Sequence, residues 1–118
     1  MTKTAIVVED CKTTMEITKF FLTKLGVDRI FTASSHKEFQ ELMQIDLVPD
    51  LVVTDWNIEE NFKGKNVIFE MSRYQVPIVV ISAEDKIEAE DINYQYSWFK
   101  KPLNFNEFKG WVKSKIKY

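Results

Sequence analysis

The chain has 118 residues, the length of one ordinary domain, with room for a real core but not for a separate effector. Hydrophobic residues at 45% and charged residues at 29% lie near globular averages, and with 3 Gly and 3 Pro they argue against a disordered, fibrous or low-complexity chain. Sixteen basic against 18 acidic side chains create no field that would make nucleic acid or an acidic membrane the default partner, so a soluble protein or a small ligand is expected.

Thr4 to Val8 is a short apolar run without alternation, the pattern of a strand buried on both faces, and Glu9 and Asp10 end it. Thr13 and Glu16 have capping-box spacing, and Thr14, Ile17, Phe21 and Leu25 recur at helical intervals until Gly26, which predicts a first helix with Met15 and Phe20 off its apolar stripe. Val27 to Ala33 predicts a second strand. Ser35 with Glu38 then caps a second helix that carries Phe39, Leu42 and Met43.

After Pro49, Asp50 to Thr54 reads as a third buried strand ending on Asp55, and the polar loop Asn57 to Gly64 leads to a third helix with Val67, Ile68 and Met71. Pro77 to Ile81 is the fourth strand and ends on Ser82. The acidic stretch Glu84 to Asn93, with Ile87 and Ile92, predicts a fourth helix. Trp98 to Lys100 makes a short fifth strand closed by Lys101 and Pro102. Asn104 with Glu107 caps a fifth helix whose stripe is Phe105, Phe108, Val112 and Ile116, with Trp111 at its edge, where exposure would signal self-association.

Five strands alternating with five helices imply right-handed parallel βαβ units, hence an α/β fold: a doubly wound five-stranded parallel sheet covered on both faces. Without a repeat or a linker-like stretch, residues 1–118 read as a single domain. No apolar run reaches the roughly 18 residues of a membrane span, and Ala5 to Val8 stops too soon for a signal-peptide core, which points to the cytoplasm. The single Cys11 has no CxxC or Cys/His company, and the neighbouring carboxylates are expected to raise its thiol pKa, so it reads as a loop residue without chemistry. His36 lacks partners for a triad or a metal site.

In such open sheets ligands bind beyond the carboxyl ends of the strands. Four strands deliver a functional group there: Glu9 and Asp10, Asp55, Ser82, and Lys101. Each alone is an ordinary turn former, but together they gather three carboxylates, a hydroxyl and an ammonium on one edge. Two unit charges about 4 Å apart repel by roughly 4 kcal/mol at an effective dielectric of about 20, so a hard divalent cation with oxygen ligands is the natural offset. Glu9, Asp10 and Asp55 therefore read as a Mg²⁺ cup. Lys101 supplies a point charge for a phosphoryl oxygen, Ser82 a rotatable donor, and a carboxylate in this company is equipped to attack phosphorus.

Glu9 Asp10, Asp55, Ser82 Ala83 and Lys101 Pro102, in this order, resemble the receiver domain of two-component response regulators over nearly the whole chain. Asp55 Trp56 Asn57 with Ser82 Ala83 Glu84 is most similar to the single-domain chemotaxis type. The resemblance implies a flavodoxin-like topology and a phosphoacceptor at Asp55 charged by a phosphohistidine of a sensor histidine kinase or histidine phosphotransfer protein. It implies Mg²⁺ held by Asp10 and Asp55 directly, by Glu9 through water, and by the backbone carbonyl of Asn57. It also implies that Ser82, Ala83 and Lys101 contact the phosphoryl group, that Trp98 is the switch aromatic, and that Asn57 and Glu84 tune the lifetime of the acyl phosphate. Phosphorylation would then shift the loop after Ser82 and the face made by the last predicted helices and strand toward an unidentified downstream protein.

On this reading the chain is no enzyme beyond its own phosphorylation and dephosphorylation. It contacts neither nucleic acid nor membrane and is a monomer or weak dimer. A phosphate sink or relay intermediate would differ only in phosphoryl lifetime. A receiver-like interaction module that is never phosphorylated is disfavoured by the intact Glu9, Asp10, Asp55, Ser82 and Lys101, and an aspartyl-nucleophile phosphatase by Asn57, where that class carries a second Asp. Two departures stand out: Glu59 where the family commonly has proline, and a short Ser82 to Trp98 interval, for which a short or irregular fourth helix is expected. Met15 and Phe20 are candidates for a kinase-docking patch. Residues 100 to 118 hold six Lys and one Glu, either a solvated face or a patch for an acidic partner.

Overall fold

The computed structural model describes residues 2–86 and 92–117. The strands β1 (Thr4–Val8), β2 (Arg29–Ala33), β3 (Leu51–Thr54), β6 (Ile78–Ser82) and β7 (Ser97–Lys100) form one parallel sheet in the order β2-β1-β3-β6-β7. Between β3 and β6 the chain adds an antiparallel pair, β4 (Asn57–Glu59) with β5 (Phe62–Lys63). The helices are α1 (Lys12–Lys24), α2 (His36–Met43), α3 (Gly64–Ser72) and α4 (Phe105–Lys115).

Side chains alternate across the pleat, so each central strand feeds two cores. Ala5, Val7, Leu51, Val53, Val79 and Ile81 pack under α1 and α4 with Leu22, Phe108 and Val112. Ile6, Val8, Val52, Ile78 and Val80 pack under α2 and α3 with Phe39, Val67, Ile68 and Met71. This doubly wound α/β sheet is the expected one. The chain leaves β1 for β2 on one side and returns to β3 on the other, so the order reverses between β1 and β3, whose carboxyl ends carry Glu9 and Asp55.

The capping signals hold at two helices. Ser35 Oγ accepts from the Glu38 amide at 3.1 Å, and Asn104 Oδ1 accepts from the Glu107 amide at 3.0 Å. They fail at α1, which starts at Lys12 with Cys11 at its N-cap and no side-chain cap, while Glu16 pairs with Lys19 instead. The buried stripe of α1 is Met15, Thr18, Leu22 and Leu25, so Met15 belongs to the core and Ile17 faces outward at 42% exposure. Phe20, Phe21 and Leu22 are contiguous and give helical spacing more than one phase, and packing on the sheet selects the phase that buries Leu22.

The loop expected over Asn57 to Gly64 contains the β4–β5 hairpin. Of the fourth predicted helix, Glu84 to Asn93, the central part lies outside the described residues, and residues 84–86 and 92–93 at its two ends are not helical. Trp111 is buried and donates from Nε1 to Ser97 Oγ at 3.0 Å, so it closes the core rather than marking a dimer surface.

Gly110 sits exposed within α4, with ordinary negative φ and nothing within 4 Å of where a Cβ would be. Glycine inside a helix costs up to about 1 kcal/mol relative to alanine, and no packing here requires it. Gly110→Ala is therefore expected to stabilise the domain by about 0.5 to 1 kcal/mol, read as a rise in the denaturant midpoint with unchanged slope. A loss of stability would show that the position is more constrained than its open surroundings indicate.

Candidate functional site

Three backbone hydrogen bonds extend the parallel ladder past the strand ends and thereby set the site. The Glu9 amide donates to Ala33 O at 3.0 Å, the Asp55 amide to Val8 O at 2.9 Å, and the Lys101 amide to Ser82 O at 2.7 Å. Residues far apart in sequence are thus delivered to one edge. Lys101 Nζ lies 3.1 Å from Asp55 Oδ2 and 3.1 Å from Glu9 Oε1. Carboxylate oxygens of Glu9, Asp10 and Asp55 lie within 4.8 Å of one another. Glu9 and Asp55 are buried, whereas Asp10 opens to solvent.

The Asp55 carboxylate is held on both oxygens: Oδ1 accepts from the Trp56 amide at 2.6 Å and more weakly from the Asn57 amide at 3.4 Å, while Oδ2 faces Lys101. Glu9 Oε2 accepts from the Cys11 amide at 3.1 Å. Burial, followed by the charge of Asp55, pushes the Glu9 carboxyl up to about 8. Burial opposes the charge on Lys101, but its hydrogen bond to Asp55 and the charge of Glu9 prevail and hold the ammonium above its ordinary range.

One ammonium therefore serves two buried carboxylates with a third beside them, an arrangement that accommodates a divalent cation. The donor set is all oxygen, and its one solvent-facing member leaves room for waters, which suits Mg²⁺. Repulsion within the set costs stability when no cation is bound. Glu9→Gln should raise the stability of the magnesium-free protein by about 1 to 2 kcal/mol, a fraction of the Coulomb repulsion at such distances. A lower denaturation midpoint in EDTA would show that Lys101 already compensates the pair.

A family model described as the response regulator receiver domain matches residues 5–109. The chain belongs to that family. The receiver fold is shared with solved structures of low identity. A CheY-like receiver domain from Methylobacillus flagellatus has a TM-score of 0.81 at 18% identity, covering 98% of this chain and 100% of the other. The N-terminal domain of a response regulator/sensory box/GGDEF protein from Carboxydothermus hydrogenoformans has 0.83 at 20%, covering 96% and 93%. Chemotaxis protein CheY4 of Vibrio cholerae has 0.78 at 16%, covering 98% and 100%. No curated protein sequence matches the chain. Receivers work in two-component systems with histidine kinases or phosphotransfer proteins, and they typically bind Mg²⁺ at an acidic cluster of this kind.

The remaining residues singled out from the receiver sequence meet around Glu84, in the turn after β6. Ser82 is buried at the end of β6, and its Oγ accepts from the Glu84 amide at 3.2 Å, which leaves its own proton to donate. Ala83 is exposed in the following turn. Asn57 Nδ2 donates to Glu84 Oε1 at 2.8 Å, and Trp98 Nε1 donates to Glu84 O at 3.0 Å. The Trp98 ring, half-buried, lies 5.3 Å from Trp56, centroid to centroid. Glu84 thus ties the acceptor loop to the aromatic of β7.

Sequence spacing gave no signal for Trp56, nor for Glu59, whose carboxylate accepts from the His36 amide at the start of α2 while His36 stacks on Phe62 of the hairpin. The Cys11 thiol differs from expectation. Hydrogen bonds from the Thr14 hydroxyl and amide lower its pKa, and the Thr13 amide and the charge of Lys101 act in the same direction.

Gly64 closes the hairpin by donating to Trp56 O at 2.7 Å. A Cβ there would collide with Asp55 O and stand 3.0 Å from Trp56 Cα, both backbone atoms that cannot rotate away. Gly64→Ala should cost about 1 to 3 kcal/mol as overpacking and alter the fluorescence of Trp56, whereas wild-type stability and spectrum would mean that the loop yields freely.

Proposed function

We propose that the chain is a phosphoaccepting receiver, in which a phosphoryl group passes from a phosphohistidine to Asp55 in a Mg²⁺-dependent reaction and switches a protein-binding face. The observation that carries this reading is the buried Asp55 carboxylate fixed by the Trp56 amide on one oxygen and by the Lys101 ammonium on the other. A carboxylate oxygen attacks phosphorus as the phosphorus–nitrogen bond of the donor breaks, and the imidazole leaves with that electron pair. Asp10, Asp55, Glu9 and the Asn57 carbonyl would hold Mg²⁺, which when bound neutralises charge on the phosphoryl oxygens. Lys101 then pairs with a phosphoryl oxygen, and Ser82 donates its free proton to another.

Drawing Ser82 and Ala83 toward the phosphoryl group pulls on Glu84, and with it on Asn57 and the Trp98 indole. The hydrogen bond from Asn57 to Glu84 supports a role for this pair in admitting or excluding the water that hydrolyses the acyl phosphate. The chain catalyses only its own phosphorylation and dephosphorylation, and it acts in the cytoplasm as a monomer or weak dimer. Among the described residues no helix is long and apolar enough to cross a membrane.

Intact-mass analysis after incubation with a small acyl phosphate tests the proposal. A gain of one phosphoryl group that requires Mg²⁺ is the expected result. A folded protein that gains none would instead be a receiver-like module that binds its partner without phosphorylation.

A further inference from the structure

The hairpin that follows the acceptor is too small to hold itself. A two-stranded hairpin alone is marginal in water, and β4 and β5 are only three and two residues long. Their ladder is also irregular, with Asn57 opposite Lys63, Glu59 opposite Phe62 and a shift of register between the two pairs. What fixes the hairpin is α2. The Phe62 ring, 2% exposed, lies 4.5 Å from the exposed imidazole of His36, centroid to centroid, with 9° between the planes. It also lies 5.4 Å from Phe39, one turn along the same helix. On the other strand, Ile58 is buried in the cluster that holds Phe39, and the Glu59 carboxylate accepts from the His36 amide. An anion there faces the positive end of the α2 dipole. Both strands of the hairpin are thus tied to the first turn of one helix.

We propose that His36, Glu59 and Phe62 are positioning residues for the acceptor site, forming a latch on α2 that fixes the loop carrying Asn57 and thereby sets how tightly Mg²⁺ is held. The consequence for Mg²⁺ rests on the phosphoaccepting function; the hold on the loop does not.

The connection runs through backbone atoms. Phe62 stands two residues before Gly64, whose amide donates to Trp56 O at 2.7 Å. Having no Cβ, Gly64 packs directly on Asp55 O and Trp56 Cα, which cannot rotate away. Asn57 opens β4, its amide reaches Asp55 Oδ1 at 3.4 Å, and its side chain holds Glu84. A shift of Phe62 or Glu59 therefore carries Trp56 and Asn57 with it. Glu9, Asp55 and Lys101 need no such latch, because hydrogen bonds continuing the main sheet deliver them. The Asn57 carbonyl is the ligand proposed for Mg²⁺ that depends on the hairpin, and metal ligands that lose their outer support lose affinity.

The test compares the whole protein with two double variants, His36→Ala with Glu59→Ala, which removes the ring contact and the acceptor, and His36→Phe with Glu59→Gln, which keeps both. Amide hydrogen exchange followed by NMR in EDTA reads the loop, and Trp56 fluorescence during a Mg²⁺ titration reads the site. In the alanine pair the Gly64 amide should exchange about tenfold faster while the amides of β1 keep their wild-type rates, and Mg²⁺ should bind about tenfold more weakly. The conservative pair should restore both to within about twofold of wild type. Wild-type exchange at Gly64, an equal acceleration in β1, or a conservative pair that behaves like the alanine pair would overturn the latch. Unchanged Mg²⁺ affinity in the alanine pair, beside a wild type that binds, would overturn its role toward the metal. A wild type that shows no response to Mg²⁺ would count against the phosphoaccepting function instead, and the exchange at Gly64 would still decide the latch.

Discussion

Asp55→Asn should lose phosphoryl uptake altogether, a fall of at least about a thousandfold, because a neutral amide oxygen lacks the negative charge that makes a carboxylate oxygen a nucleophile toward phosphorus. The fold should survive. The amide oxygen of the new side chain can still accept from the Trp56 and Asn57 amides, and Lys101 keeps Glu9 as its partner. One negative charge also leaves a crowded buried cluster, so the magnesium-free variant is expected to be at least as stable as the wild type. Mass analysis with an acyl phosphate and Mg²⁺ reads the first outcome, and a denaturation curve in EDTA reads the second. Labelling at the wild-type rate would move the acceptor elsewhere in the cluster, with the solvent-facing Asp10 the next carboxylate to test.

What the sequence revealed and what it hid follow from the range of the forces involved. The strands were legible because a parallel sheet buried on both faces needs continuous apolar runs, and Thr4–Val8 and Ile78–Ser82 are such runs. The site was legible for a related reason: a polar residue that ends a buried strand has nowhere to go but the carboxyl edge, so Glu9, Asp55, Ser82 and Lys101 could be grouped before any contact was known. The phase of α1 was hidden, since Phe20, Phe21 and Leu22 satisfy helical spacing in more than one way and only the sheet surface chooses Leu22. The bond from Asn57 to Glu84 and the tilted ring contact of Trp56 with Trp98 were hidden too, because they join residues 27 and 42 positions apart through loops that carry no periodicity. The β4–β5 hairpin escaped because its strands of three and two residues are too short to alternate visibly.

Lys101→Ala should separate the two tasks that one ammonium performs. In the magnesium-free protein it screens Glu9 and Asp55 from each other at 3.1 Å, and its removal leaves two buried carboxyl groups facing without a counter-charge. A loss of about 1 to 3 kcal/mol is expected, softened because Glu9, already pushed up to about 8, can take up a proton. A divalent cation offers the same screening, so added Mg²⁺ should stabilise Lys101→Ala more than it stabilises the wild type, by mass action on a site freed of a competing ammonium. The second task is not replaceable in this way. After phosphorylation a cation on the carboxylate side cannot pair with the phosphoryl oxygen that Lys101 would reach, so the pull relayed through Ser82 and Glu84 to Trp98 should be lost even where labelling persists. Tryptophan fluorescence followed beside the mass gain distinguishes these effects. A labelled variant whose indole signal changes as in the wild type would remove Lys101 from the switch and leave it only as the counter-charge of Glu9 and Asp55.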